Sequence, residues 1–392
     1  MHPSALALAA PLPASPALPG DAIGFEIGWE HARHGLVPPA ELLIEGTALS
    51  QGWRAARAAL GRRSLASTRA LRQWLALRCQ AWREGIDFDT TGLGPAELAR
   101  LETGHCPVRG QALGGAAAGE DAPVFCRLNP AAGYRAGNLV VLSRTAALAA
   151  RRVTAADALR LARAARVSGT AVRGLHAAHW QRLAVLLACT APLPFQDLAR
   201  LPLLVLPPPG VVPAHAVQAL QCLLTRQFLR PGWSSRLRAL AAGLPAGAHR
   251  TDFHLFVSAL ASRLLHARDT APGERQAVAG PCDLEAAWLH ERVQRRWQQW
   301  VLGMGEGACA DLLTHALAVL GPSGANPVAS RDAWPRHAPT PTQAATAPPG
   351  FQGATRPPVA PLEQPGDATR QLRFAAGQRP RLQRAAAAQA RP

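Results

Sequence analysis

Between about residue 20 and residue 320 the apolar positions recur mostly at helical spacing. Ser64 to Arg83 puts Leu71, Trp74, Leu75, Cys79 and Trp82 on one face, with Arg62, Arg69, Arg72 and Arg83 on its flank. That flank reads either as an arginine ridge laid along a phosphate backbone or as the solvated side of an ordinary amphipathic helix. Arg78 falls inside the apolar stripe and must reach water along its stem or find a partner. The same period predicts helices over Thr154 to Val167, His176 to Ala188, Val212 to Leu229, Thr251 to Arg268, Asp283 to Leu302 and Ala308 to Leu320. Thr154 with Asp157 predicts a capped start, and Asp283 with Glu285 places acids at a helix N-terminus. After Asp283, Leu289, Val293, Trp297, Trp300 and Met304 share a face, with Arg292, Arg295 and Arg296 beside it. No repeat of fixed period is present, and the run LLVLPPPGVVP at 203–213 reads as an extended connector.

One stretch departs from this rhythm. Pro95 to Glu102 reads as a short helix closed by Gly104; Cys106, Pro107 and a glycine- and alanine-rich loop follow. Val124 to Leu128 then reads as a strand, Pro130 to Gly137 as a turn and Leu139 to Leu142 as a second strand. Ser143 is placed to cap a helix running from Arg144 toward Arg152. The chain's single tyrosine, Tyr134, lies in the turn phrase GYRAGN.

The expected fold is therefore mainly α, with helical domains, a small strand-strand-helix module and disordered tails. An Ala/Pro-rich arm covers 1–20, an N-terminal helical region 21–152 includes the module at about 95–152, and a second α-helical domain covers 153–320. Residues 321–392 are rich in Pro, Ala, Thr, Gln and Gly with few large apolar side chains, so they are expected to stay disordered. From Thr369 onward that tail carries Arg370, Arg373, Arg379, Arg381, Arg384 and Arg391 and no acid. It is suited either to loose nucleic-acid contact or to solubility alone.

A formal charge of +17 points toward a polyanionic partner, DNA or RNA. All 42 basic residues are arginine, however, and the abundance of Ala, Gly and Pro indicates a GC-rich codon bias that supplies surface arginine by default. The 7 cysteines are scattered and odd in number in a long chain, which argues against a disulfide framework and for a reducing compartment. The first residues lack a basic n-region, and Leu183 to Leu206 is interrupted by Pro192, Pro194, Asp197, Arg200 and Pro202. A cytoplasmic protein with no membrane partner is expected.

The segment from His105 to Arg151, with its CP start, strand pair, GY..GN turn and following helix, resembles the ββα-metal module of HNH-type endonucleases over roughly one seventh of the chain. The helical sequence around it resembles proteobacterial proteins that carry such a segment. The resemblance implies a hairpin and helix that hold one divalent metal through a strand carboxylate and a helix Asn or His, while a histidine activates water. Asn138 matches the asparagine that braces the turn, and Pro130, Gly133 and Tyr134 match the turn itself. Cys126 stands at the metal-binding aspartate, Arg127 at the base and Ala147 at the last metal ligand.

These three departures remove the hydrolytic set. Mg²⁺ prefers oxygen ligands, which a thiol and a methyl do not provide, and arginine is a poor proton acceptor but a good phosphate ligand. His105, Cys106 and Cys126 are candidate zinc donors, yet CPVR lacks the second half of the usual cysteine pair. Glu120 and Asp121 lie close before the first strand and are expected to be solvated. No catalytic residue and no cofactor follow from this reading. The favoured function is nucleic-acid binding with the HNH-like hairpin as a platform and without efficient hydrolysis, using Arg127, Arg135 and Arg144, expected to converge on the hairpin, with Arg69 and Arg72. The alternatives are a Mg²⁺-dependent endonuclease with other ligands, and a helical scaffold that binds no nucleic acid.

Overall fold

The computed structural model describes residues 19–114, 119–269 and 281–320. The expected arm, apart from its last two residues, and the expected tail from 321 lie outside them. Helices dominate, and the described residues contain one two-stranded sheet. The N-terminal helices are α1 (Pro19–Arg33), α2 (Ala48–Leu60), α3 (Arg69–Glu84) and α4 (Pro95–Leu101). Strands β1 (Pro123–Arg127) and β2 (Leu139–Ser143) follow, then α5 (Arg144–Ala150), α6 (Ala155–Ser168) and α7 (Ala177–Thr190). The remainder is α8 (Phe195–Arg200), α9 (Ala216–Gln227), α10 (Trp233–Ala242), α11 (Ala248–Asp269), α12 (Pro281–Leu289) and α13 (Glu291–Leu320). No described helix is long and apolar enough to cross a membrane.

Local chemistry sets the helix starts. The Thr68 hydroxyl accepts from the Leu71 amide at 3.1 Å, so α3 begins at Arg69 and not at the predicted Ser64. Thr154 and Asp157 form the reciprocal cap expected of them at the start of α6. Ser143 caps α5 through the Ala146 amide at 3.4 Å. The long helix predicted from Asp283 breaks at His290. The predicted break between 302 and 308 is present: the span α13 is two helical pieces that meet at Gly305, whose backbone at φ 80° and ψ 171° is not helical.

Cys126 pairs with Val140 and Arg127 with Leu139 in the antiparallel register. All five residues of β2 are buried, and side-chain alternation turns them to two different cores. Val140 and Leu142, with Val124, Cys126 and Leu128 beside them, face the large core built with α5, α6, α7 and the helices that follow. Leu139 and Phe125 face a smaller core with Leu71, Trp74 and Leu75 of α3, Leu98 of α4 and Tyr134. A one-residue slip of β2 would exchange the faces of every side chain. The expected boundary at 152 falls on the turn between α5 and α6, and the large core is continuous across it.

The proline-rich connector seals the turn end of the hairpin. Leu139 donates its amide to Gly210 O at 3.1 Å, and Val212 donates to Gly137 O at 3.0 Å. A Cβ on Gly210 would sit 2.3 Å from Leu139 O, so glycine is required for this approach. Arg78, in the apolar stripe of α3, does find partners: its guanidinium lies 4.6 Å from the Trp74 ring centroid and 3.2 Å from Glu26.

Candidate nucleic-acid interface

The turn end of the hairpin is fastened by one side chain. Asn138 is fully buried; its Nδ2 donates to Asn129 O at 2.8 Å and to Gly133 O at 2.9 Å, while its Oδ1 accepts from the Asn129 amide at 2.8 Å. Asn129 extends the tie by donating from Nδ2 to Thr190 O, at the end of α7. The brace expected of Asn138 is thus present, and Asn129, whose role the sequence did not indicate, couples it to the helical core. Tyr134 stacks on Phe88 with centroids 5.6 Å apart, and burial raises its phenol above the usual range. Gly133 at φ 68° leaves room for Asp87 O, which accepts from the Tyr134 amide at 2.8 Å.

The face that the resemblance assigns to a metal is apolar. Cys126 and Ala147 both lie against the large core with Cys106, Val140, Leu142 and Ala146. Burial, reinforced by the neighbouring Cys106, pushes the Cys126 thiol up to about 12, so it stays protonated near neutral pH and is no thiolate ligand. Its Sγ lies 3.7 Å from Val124 O, and the Cys106 Sγ accepts from the Ser143 amide at 3.4 Å. His105 is exposed on the preceding turn. Among the described residues no three His, Cys, Asp or Glu side chains group as a metal site, and the residues at 126 and 147 do not fit Mg²⁺. Arg109, at the place where a paired cysteine would complete CPVR, is instead held by Asp121 at 2.8 Å. Asp121, expected to be solvated, keeps 45% of its side chain exposed while it pairs with Arg109.

The candidate arginines separate into distinct sets. Arg127 donates to Pro130 O at 2.7 Å and covers the Tyr134 ring at 4.9 Å. Arg135 pairs with Asp87 at 3.1 Å. Both serve the turn end. Arg144 belongs to the opposite end of the hairpin, because β2 separates it from the turn by about 15 Å at strand rise. The three do not converge, since the antiparallel register carries Arg144 away from the turn. Arg69 lies 3.4 Å from Glu102, and Arg72 is exposed on α3. Residues 21–114 around that ridge hold eleven arginines against ten acids, so the ridge stands in a nearly neutral region.

A different set concentrates charge. Residues 144–173 contain seven arginines, Arg144, Arg151, Arg152, Arg160, Arg163, Arg166 and Arg173, against the single acid Asp157, and all seven are exposed. Tertiary packing joins the two ends of this stretch. A Cβ on Gly174 would lie 2.9 Å from Cγ2 of Thr145, which places the loop carrying Arg173 against the start of α5 and hence beside Arg144. Arg160 pairs with Asp157, whose carboxyl is held below its usual range by the Thr154 amide and hydroxyl and by Arg160. Residue-by-residue charge, summed over short windows, was the sequence signal for this surface. Motif spacing drew attention to the hairpin instead.

No protein-family model, curated protein or solved structure matches the chain.

Proposed function

We propose that the protein binds nucleic acid through the exposed arginine surface of α5, α6 and the loop that follows. The observation that carries this reading is the segregation of seven arginines and one acid onto 144–173, beside an N-terminal region in which acids nearly balance arginines. Codon bias alone supplies arginine without regard to where acids fall, and it does not account for that contrast. Guanidinium groups bind phosphate oxygens in a planar fork and gain affinity by releasing counterions. The HNH-like hairpin then serves as the frame that holds Arg144 and α5, with Asn138 and Asn129 fixing its turn to α7. Hydrolysis is not part of the proposal, because the positions of the absent ligands are packed into an apolar core.

The test is fluorescence anisotropy with duplex and single-stranded DNA and RNA over a range of salt. Binding is expected to weaken with salt at a log–log slope no steeper than about −6 for duplex DNA, the limit for seven phosphate contacts. A flat response, or no binding to any of the four probes, returns the protein to the scaffold reading. Ancestry of the hairpin is tested separately by Cys126→Asp with Ala147→Asn. The double variant is expected to gain Mn²⁺ or Mg²⁺ binding in calorimetry; a flat titration of a variant shown to be folded counts against the resemblance.

A further inference from the structure

At the start of α7, four basic side chains from two segments meet outside the surface described above. His176 is the N-cap of the helix, its side chain makes no capping hydrogen bond, and its ring lies edge-on to that of His179 with centroids 5.7 Å apart. Arg182, one turn further, donates from Nε to Glu285 of α12 at 2.9 Å and from a terminal nitrogen to Val108 O at 3.2 Å. Arg109, next to Val108, is the partner of Asp121. Burial holds the His179 imidazole below its usual range, and the charges of Arg182, His176 and Arg109 add to the effect.

Two details bear on what this cluster can do. The Nδ1 atom of His179 is buried and has no hydrogen-bond partner, as is also true of His34 Nδ1 and His315 Nε2, whereas the buried His31 satisfies its Nδ1 with Ile27 O at 2.7 Å. The charges also balance in an informative way. Glu285 and Asp121 cancel Arg182 and Arg109, so the cluster is neutral while both imidazoles are neutral and carries two positive charges once both are protonated.

We propose that His176, His179, Arg109 and Arg182 form a phosphate-binding site that fills as the two histidines take up protons. Exposed His176 admits the ligand, the first-turn amides of the 14-residue helix α7 present their positive end, and the orphan Nδ1–H of a protonated His179 supplies a donor. The phosphate belongs either to a small anion or to a phosphodiester of the nucleic acid held by α6, since Arg173 lies three residues before His176. The second source rests on the proposed function; the first does not.

The experiment is histidine-ring NMR of the full chain, titrated with sodium phosphate and separately with a short DNA duplex. It is run near about pH 6 and about pH 8, on either side of the ordinary imidazole range. Saturable shifts at His176 and His179 are expected, with affinity rising about tenfold per pH unit of acidification for each proton taken up. His179→Gln, shown to be folded by thermal melting, is expected to lose the saturable shift at the remaining His176 ring; an undiminished His176 response in that variant counts against the proposal. A response to phosphate alone fixes a small-anion site and stands even if nucleic-acid binding fails. A response to duplex alone fixes the phosphodiester as the source. Absence of saturable shifts with both ligands near about pH 6 overturns the proposal, and so do equal shifts produced by chloride at matched ionic strength.

Discussion

The two ends of the β1–β2 hairpin use arginine in opposite ways. At the turn end, Arg127 and Arg135 are spent on Pro130 O, the Tyr134 ring and Asp87, and a buried asparagine carries the bonding. At the other end, Arg144 and Arg173 open a surface with one acid among seven arginines. Residue type is the same at both ends. What separates the two ends is the density of acids: Arg135 has Asp87 beside it, whereas the seven arginines of 144–173 share one acid, Asp157. The turn carries the most distinctive phrase of the sequence, GYRAGN, and yet is the less charged of the two regions, so a distinctive motif and a basic surface need not coincide.

The sharpest way to break this comparison is Asn138→Ala. It removes three hydrogen bonds, one buried and two part-buried, and leaves the Asn129 amide and the Asn129 and Gly133 carbonyls without that partner, at a cost of about 3 kcal/mol in chemical denaturation. A change below about 1 kcal/mol would mean that the turn is held mainly by the 208–212 connector.

Next in size is the response of binding. Arg151→Gln, Arg163→Gln and Arg166→Gln together are expected to lower the salt slope for duplex DNA by about three and to leave stability within about 0.5 kcal/mol. Arg62→Gln, Arg69→Gln and Arg72→Gln together should leave the slope unchanged. Equal losses from both triples would erase the distinction between the neutral and basic regions.

Arg127→Gln sharpens the contrast from the structural side. Loss of the Pro130 bond and of the ring contact is expected to cost about 1–2 kcal/mol in a urea titration, with no change in salt slope. A reduced slope with unchanged stability would move Arg127 to the interface.

The smallest expected effect is in the pH dependence of stability. Burial, opposed by the Ile27 hydrogen bond and assisted by Arg78, holds His31 below its usual range, and burial and Arg182 do the same for His179. For both groups the unfolded chain takes the proton first. Stability is therefore full above about pH 6.5 and falls with acidification toward the depressed folded values. Melting curves measured across that range without added phosphate test this, and a rise in stability toward acid would reverse the assigned direction. His31→Gln should shallow the acid-side decline, because it removes one of the two groups.

Much of the fold was legible in the chain. Thr154 with Asp157, Ser143 and the alternating apolar residues of 124–128 and 139–142 announced their own structures, because caps and strand faces depend on neighbours within a few positions. Asn138 was legible too, through the turn in which it sits. The break near Gly305 was legible as well, since a glycine between two apolar-periodic runs supplies the positive φ that ends one helix and starts the next. Cys126 could be seen to differ from a metal ligand, but only packing showed it turned against the large apolar core.

By itself the sequence determined the capped starts of α5 and α6, the presence of two neighbouring strands, the residue types at 126 and 147, and the uneven distribution of charge, all set by local stereochemistry or by residue type. Tertiary structure alone decided that Arg144 sits away from Arg127 and Arg135 and beside Arg173. It alone brought Arg109, Arg182 and Glu285 to the two histidines of α7. Those placements depend on contacts between segments far apart in the chain, such as Gly174 on Thr145 and Gly210 on Leu139, and no short-range pattern specifies them.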